Sequence, residues 1–359
     1  MALFQYSRAV KVWLFVGLVL LFIQIFVGGI TRLTESGLSI TKWDVVSGTL
    51  PPLSETAWQK EFDLYKQTPQ YLEINTGMSI SDFKFIFFWE FMHRFWARFM
   101  GFVFIIPFCY FLMKKKFDAY ILKRLGGVIL LAVLAATFGW IMVKSGLQSR
   151  PWVNAYKLSF HLCIALSVYV YLLWTWLNVM YNKAEVKFSN NSLKIFIGLI
   201  WVQLFIGGMM SGMKAAVYYP EWPLMQGQLL PDVLFDASQW NMNNFTFYDQ
   251  NIFIPTLVQF LHRLIAYTLF GFGVYLCVQL YKINETKRAS IYVFVALIIQ
   301  VLLGILTLIN SKGEVPISYG VLHQSFAVLL LTFAYYLYFV SSNKIIMGNK
   351  QEINSNNYL

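Results

Sequence analysis

The chain has 359 residues, of which 58% are hydrophobic and 13% charged, with a net charge of +11 and a mean hydropathy of +0.57. This balance excludes an ordinary soluble domain, and apolar runs long enough to cross a bilayer recur along the chain, which makes it a polytopic membrane protein. The excess of Lys and Arg belongs to membrane topology and not to nucleic acid, because no basic stretch is interleaved with exposed aromatics in a soluble domain.

Eight spans are predicted, at about residues 11–30, 88–112, 123–143, 158–180, 192–213, 255–281, 288–309 and 319–341. The length and continuity of the runs call for helices and not a barrel. The first span starts behind Arg8 and Lys11 and ends in GGITRLTESGLSI, with no small-residue cleavage site, so it reads as a retained helix. No long Arg- and Ser-rich leader is seen, so a mitochondrial transit peptide is not expected. With the N-terminus inside, the inner segments hold 15 of the 28 Lys and Arg residues, among them Lys114, Lys115, Lys116, Lys183, Lys187, Lys344 and Lys350. The short loops then obey the positive-inside rule, and both termini are expected in the cytoplasm.

The chain is also duplicated. Gly28 and Gly29 at the end of the first span match Gly207 and Gly208 at the end of the fifth, and GWIMVKSGL matches GILTLINSKG. The expected fold is all-α integral membrane, with eight transmembrane helices forming two pseudo-symmetric four-helix bundles and long outer loops. The halves are read as 1–185 and 186–345, followed by a disordered tail at 346–359. Outer loops 31–84 and 214–254 are aromatic, which argues against disorder. Trp43, Tyr218, Tyr219 and Trp222 suit a cap lying against the membrane. Cys109, Cys163 and Cys277 lie far apart in apolar spans and read as inert packing thiols.

The only four histidines form two pairs within the duplication: His93 in WEFMHR with His161 in YKLSFHLCIAL, and His262 in VQFLHR with His323 in YGVLHQSFAVL. An ionisable group in an apolar span is a candidate functional site. Each histidine is expected one to two turns below the outer surface on an outside-to-inside helix, so each pair can sandwich a planar macrocycle as axial ligands. The alternatives are four packed core histidines, or zinc or copper, although two imidazoles per half make a sparse set for tetrahedral zinc.

The halves differ three residues before the first histidine of each pair, where Glu90 stands in one and Gln259 in the other. The spacing puts each on its histidine's face of the helix. A carboxylate there is costly, and Gln keeps the shape without the acid–base chemistry, so the first half reads as reactive and the second as a redox helper. The alternative is a carboxylate ion-paired with Arg94 or Arg98. Arg94 and Arg263, each following its histidine, are candidates for pairing with haem propionates or for snorkelling outward.

Together GGITRLTESGLSITKW, WEFMHR, GWIMVKSGL, YKLSFHLCIAL, YPEWPLMQGQLLP, VQFLHR and VLHQSFAVLLL resemble the haem A synthases over about residues 28–330. The resemblance implies an integral membrane oxidoreductase that converts the C8 methyl of haem O to a formyl group for cytochrome oxidase. Two hydroxylations would give a gem-diol that loses water. It also implies haem b held by His262 and His323, substrate haem O held by His93 and His161, and Glu90 as the acidic residue of the reactive half. Its setting would be the bacterial cytoplasmic membrane. Some bacterial members carry a cysteine pair in the first outer loop; this chain has no cysteine there, which rules out a thiol relay on that loop. Electrons would come from quinol or a redox protein, and the haem O synthase is a candidate partner. The competing reading is a di-haem b-type electron-transfer cytochrome, which needs the same four histidines but not the Glu90/Gln259 difference.

Overall fold

The structure, a computed structural model, describes residues 5–42, 50–181 and 190–342. Trp43, Lys183, Lys187, Lys344, Lys350 and the tail at 346–359 lie outside them. Among the described residues, eight helices are long and apolar enough to cross a membrane. We number them α1 (Arg8–Leu33), α2 (Ile80–Met113), α3 (Ala119–Ser149), α4 (Ala155–Met180), α5 (Asn191–Gly212), α6 (Phe253–Tyr281), α7 (Asn284–Ile309) and α8 (Ile317–Ser342). All eight predicted spans are present, and the protein is an all-α, multi-pass membrane protein.

Boundaries follow polar caps more than hydropathy. α2 begins eight residues before the expected 88 because Ser79 and Asp82 form a reciprocal capping box. Its first turns then pack on the outer-loop helix Glu55–Tyr65, with Phe83 stacked on Phe62 at 5.0 Å. Asp118, Asn154 and Asn190 cap α3, α4 and α5 with their side chains alone, each accepting from backbone amides of the first turn. Of the aromatics predicted to cap the second half, Tyr218 and Trp222 are exposed, while Tyr219 is buried and its hydroxyl accepts from Thr256 at 3.2 Å.

α4 and α8 form the centre. Half of the most apolar stretch of each is buried, against 28% in α6, 22% in α7 and 6% in both α2 and α3, whose apolar faces are left for lipid. In the first half α1 packs on α2 and α4, and α3 on α4; in the second, α5 packs on α6 and α8, and α7 on α8. Contacts α1–α8, α4–α5 and α4–α8 join the halves. One pair breaks the correspondence: α6 packs along α7, whereas α2 and α3 share no comparable seam.

The helices that open each half end alike. Both turn through a left-handed residue, Glu35 (φ 56°) after α1 and Lys214 (φ 50°) after α5. These two side chains form an ion pair with each other. Beside them, Arg32 donates to the terminal carbonyls of α5 at Ser211 (2.6 Å), which also accepts from the Lys214 amide, and Gly212 (3.2 Å).

Candidate active site: two histidine pairs

Each of the four histidine rings lies against a glycine of a neighbouring helix. A methyl group at Gly28 would stand 3.2 Å from Nε2 of His93, and one at Gly139 would stand 3.0 Å from Cε1 of His161. In the second half the corresponding distances are 3.4 Å from Gly207 to His262 and 2.9 Å from Gly304 to His323. A side chain at Gly28, Gly139 or Gly304 would press on the ring, whereas a methyl group at Gly207 would just touch it. Only the first glycine of each predicted pair serves its histidine. Gly29 instead admits Gln324, and Gly208 admits Ser159, where α5 and α4 touch.

The two rings of the second pair lie close together. The ring centroids of His262 and His323 are 6.4 Å apart. One metal between two imidazoles, with metal–nitrogen bonds of about 2 Å, sets two ring centres roughly 6 Å apart. His93 lies within electrostatic reach of His161. Nδ1 of His161 and of His262, together with Oε1 of Gln24, Gln203 and Gln300, are buried without a hydrogen-bond partner. Buried polar atoms are normally satisfied, so such a cluster fits a site built around a polar, metal-bearing group. Among the described residues no three His, Cys, Asp or Glu side chains gather around a point, and the donor set stays at two imidazoles per half.

Three glutamines, not anticipated from the sequence, support the histidines. Gln24 donates to the His93 carbonyl at 3.2 Å, and Gln203, in the same place on α5, donates to the His262 carbonyl at 3.0 Å. Gln203 also lies 3.2 Å from Nε2 of His262. Gln300 lies four residues before Gly304 and reaches Nδ1 of His323 at 3.1 Å. Four residues before Gly139 stands Ala135, so His161 has no such amide. The recurrence of Gln in apolar spans at matched positions is the signal that could have found the first two.

Glu90 is buried, with only 2% of its surface exposed. One carboxylate oxygen accepts from the Ser39 hydroxyl and from the Ile40 amide, both at 2.8 Å, and the other accepts from Arg94 at 2.5 Å. The ion-paired alternative is thus the geometry present, with Arg94 as partner. Gln259, fully buried, donates to the Tyr219 carbonyl at 2.9 Å. Ile40 and Tyr219 hold equivalent places, each five residues beyond the left-handed turn that ends α1 or α5. The acid therefore takes a hydrogen from its outer loop where the amide gives one.

The two arginines bind the same loops. Arg94 donates to the carbonyls of Ile40 (3.3 Å) and Lys42 (3.0 Å), and Arg263 to those of Tyr219 (3.1 Å), Glu221 (2.9 Å), Pro223 (3.2 Å) and Leu224 (3.0 Å). Their guanidinium groups clamp the outer loops onto the histidine helices. Nε of Arg263 remains buried and unpartnered.

Comparison with known proteins bears on what these pairs hold. Residues 11–335 match the COX15-CtaA family, described as cytochrome oxidase assembly protein. A protein named heme A synthase from Nitrosospira multiformis is 38% identical, covering 92% of this chain and 93% of its own. Proteins of the same name from Flavobacterium psychrophilum and Rhizobium rhizogenes are each 39% identical, covering 90% and 91% of this chain and 96% and 88% of theirs. With the match running nearly end to end and through all four histidines, the chain belongs to the COX15-CtaA family of cytochrome oxidase assembly proteins, the haem A synthases.

Proposed function

We propose that the chain oxidises the C8 methyl of haem O to a formyl group, with His93 and His161 holding the substrate haem and His262 and His323 holding a resident haem b. The observation that carries this division is the difference between Glu90 and Gln259 at one position of two otherwise matched histidine sites. The halves are then 1–185, the substrate half, and 186–345, the haem b half. Family membership argues against the di-haem electron-transfer cytochrome, since the relatives are named for the synthase.

The residues divide the work. Haem b, when bound, supplies electron relay. Gln203 and Gln300 orient its two histidines, and the glycines behind the rings keep them turned inward. In the first half His161 lacks the amide that steadies His323, which suits a haem that must come and go. Glu90 and the Ser39 hydroxyl form a proton-handling pair against the substrate, and the carboxylate stabilises positive charge developing at the methyl carbon. Arg94 holds Glu90 in place, and for Arg94 or Arg263 to meet a propionate, loop carbonyls must be exchanged for carboxylate oxygens. The unpartnered Nε of Arg263 offers one donor without such exchange. Each hydroxylation of the methyl consumes one dioxygen, two protons and two electrons from quinol or a redox protein and releases one water, and the haem O synthase is the natural supplier of substrate. The setting is the bacterial cytoplasmic membrane with both termini inside, as the Lys and Arg distribution supports.

The test is acid extraction and chromatography of the haems on purified protein, expressed with and without a haem O source. Haem B in both preparations, with haem O, an oxidised intermediate or haem A added only when the source is present, is the expected result. Haem B alone in both would return the protein to the electron-transfer cytochrome.

A further inference from the structure

The missing seam between α2 and α3 leads to the first histidine pair. On α7, Leu297, Val301 and Gly304 form one stripe at helical spacing that ends on the ring of His323. Leu297 is 2% exposed, and a methyl group at Gly273 of α6 would stand 2.6 Å from it, so α6 and α7 close over the second site. On α3 the same stripe reads Ala132, Ala136 and Gly139 and ends on the ring of His161. Both alanines are exposed, and in place of Gly273 α2 carries Phe104, which packs against Trp13 in a tilted pair at 4.8 Å. An alanine stripe therefore runs from the lipid face to the half-buried His161, whose Nδ1 is itself buried without a partner.

We infer that this slot between α2 and α3 is the berth of the substrate's isoprenoid tail and the lateral route by which haem O enters from the bilayer. The inference rests on the reading of His93 and His161 as the substrate pair. A haem with a long apolar tail partitions into lipid, and a slot open to lipid and closed at its inner end by an axial ligand accepts the macrocycle with the tail trailing outward. The resident haem b has no such tail, and its half has no such slot. A lipid acyl chain is the other apolar occupant, and the test separates the two.

The experiment transplants the filled stripe. The double variant Ala132→Leu with Ala136→Val is prepared full-length in nanodiscs from cells without a haem O source and titrated with haem O by absorbance, beside the wild type. Affinity for haem O should fall by about tenfold or more while haem b content is unchanged. Affinity within about twofold of wild type would overturn the berth and leave the slot to lipid. Wild type that takes up no haem O at the first pair would instead overturn the substrate assignment itself. Should the variant lose haem b through misfolding, a haem O analogue with a diazirine at the tail end decides on the wild type. Adducts on α2 and α3 support the berth; adducts elsewhere, or none with the analogue bound, overturn it.

Discussion

The two halves of this molecule use the same backbone positions to opposite electrostatic ends. At the place where Glu90 accepts the Ile40 amide hydrogen, Gln259 donates to the Tyr219 carbonyl, and both neighbouring arginines clamp the same stretch of outer loop. On the proposed division, a reactive site and a holding site would differ by little more than the direction of one hydrogen bond, one supporting amide and one closed seam. The shared parts (glycine-backed imidazoles, a glutamine on the histidine carbonyl and an arginine clamp) describe what it takes to hold a macrocycle. The unshared parts are where the proposed chemistry has to lie.

The most severe way to break the comparison is to make the halves alike. Glu90→Gln should lower haem A formation by roughly 10²–10⁴-fold, the range of general acid–base contributions, while haem O stays bound. A variant that binds haem O and converts it at the normal rate would remove Glu90 from the chemistry. Next comes the clamp. Arg263→Lys keeps the charge but loses the fork that serves four carbonyls, and thermal unfolding in detergent should report a loss of about 1.5–3 kcal/mol. An unchanged melting temperature would show that the loop holds itself. Gln300→Leu sharpens the contrast between resident and exchangeable haem. Loss of a supporting hydrogen bond should weaken haem b retention by about 10–100-fold, with a shift in its absorbance spectrum, and Ala135→Gln should slow release of haem from the first half. Equal retention in wild type and Gln300→Leu would make the amide a bystander. The smallest effect is expected at the partly exposed Lys214–Glu35 pair, where removal of either charge should cost about 0.2–1 kcal/mol and exchange of the two should restore it.

Much of this was legible in the sequence because it lives on single helices. Hydropathy located all eight spans, and the i, i+3 spacing put Glu90 and Gln259 beside their histidines. The early start of α2 was missed because a hydropathy window does not read a capping box. Contacts between helices were missed for a deeper reason. That Gly139 and Gly304 back the rings of His161 and His323 depends on how α3 lies on α4 and α7 on α8. Arg94 and Arg263 invited a propionate reading because an arginine beside a ligand histidine looks available, and only the fold shows loop carbonyls meeting it first. The open α2–α3 slot was invisible for the same reason, although its alanines stand plainly in the sequence.

The ion pair between Glu35 and Lys214 carries a consequence for assembly. These residues occupy the same turn of their respective halves, yet they carry opposite charges and meet each other. In a symmetric pair of identical four-helix units, that turn would face its own copy, and two glutamates or two lysines would oppose each other. The pair therefore biases each half toward the other and against itself, by no more than the roughly 1 kcal/mol expected of an exposed ion pair. Expressed as separate polypeptides, the two halves should assemble with each other in preference to their own kind.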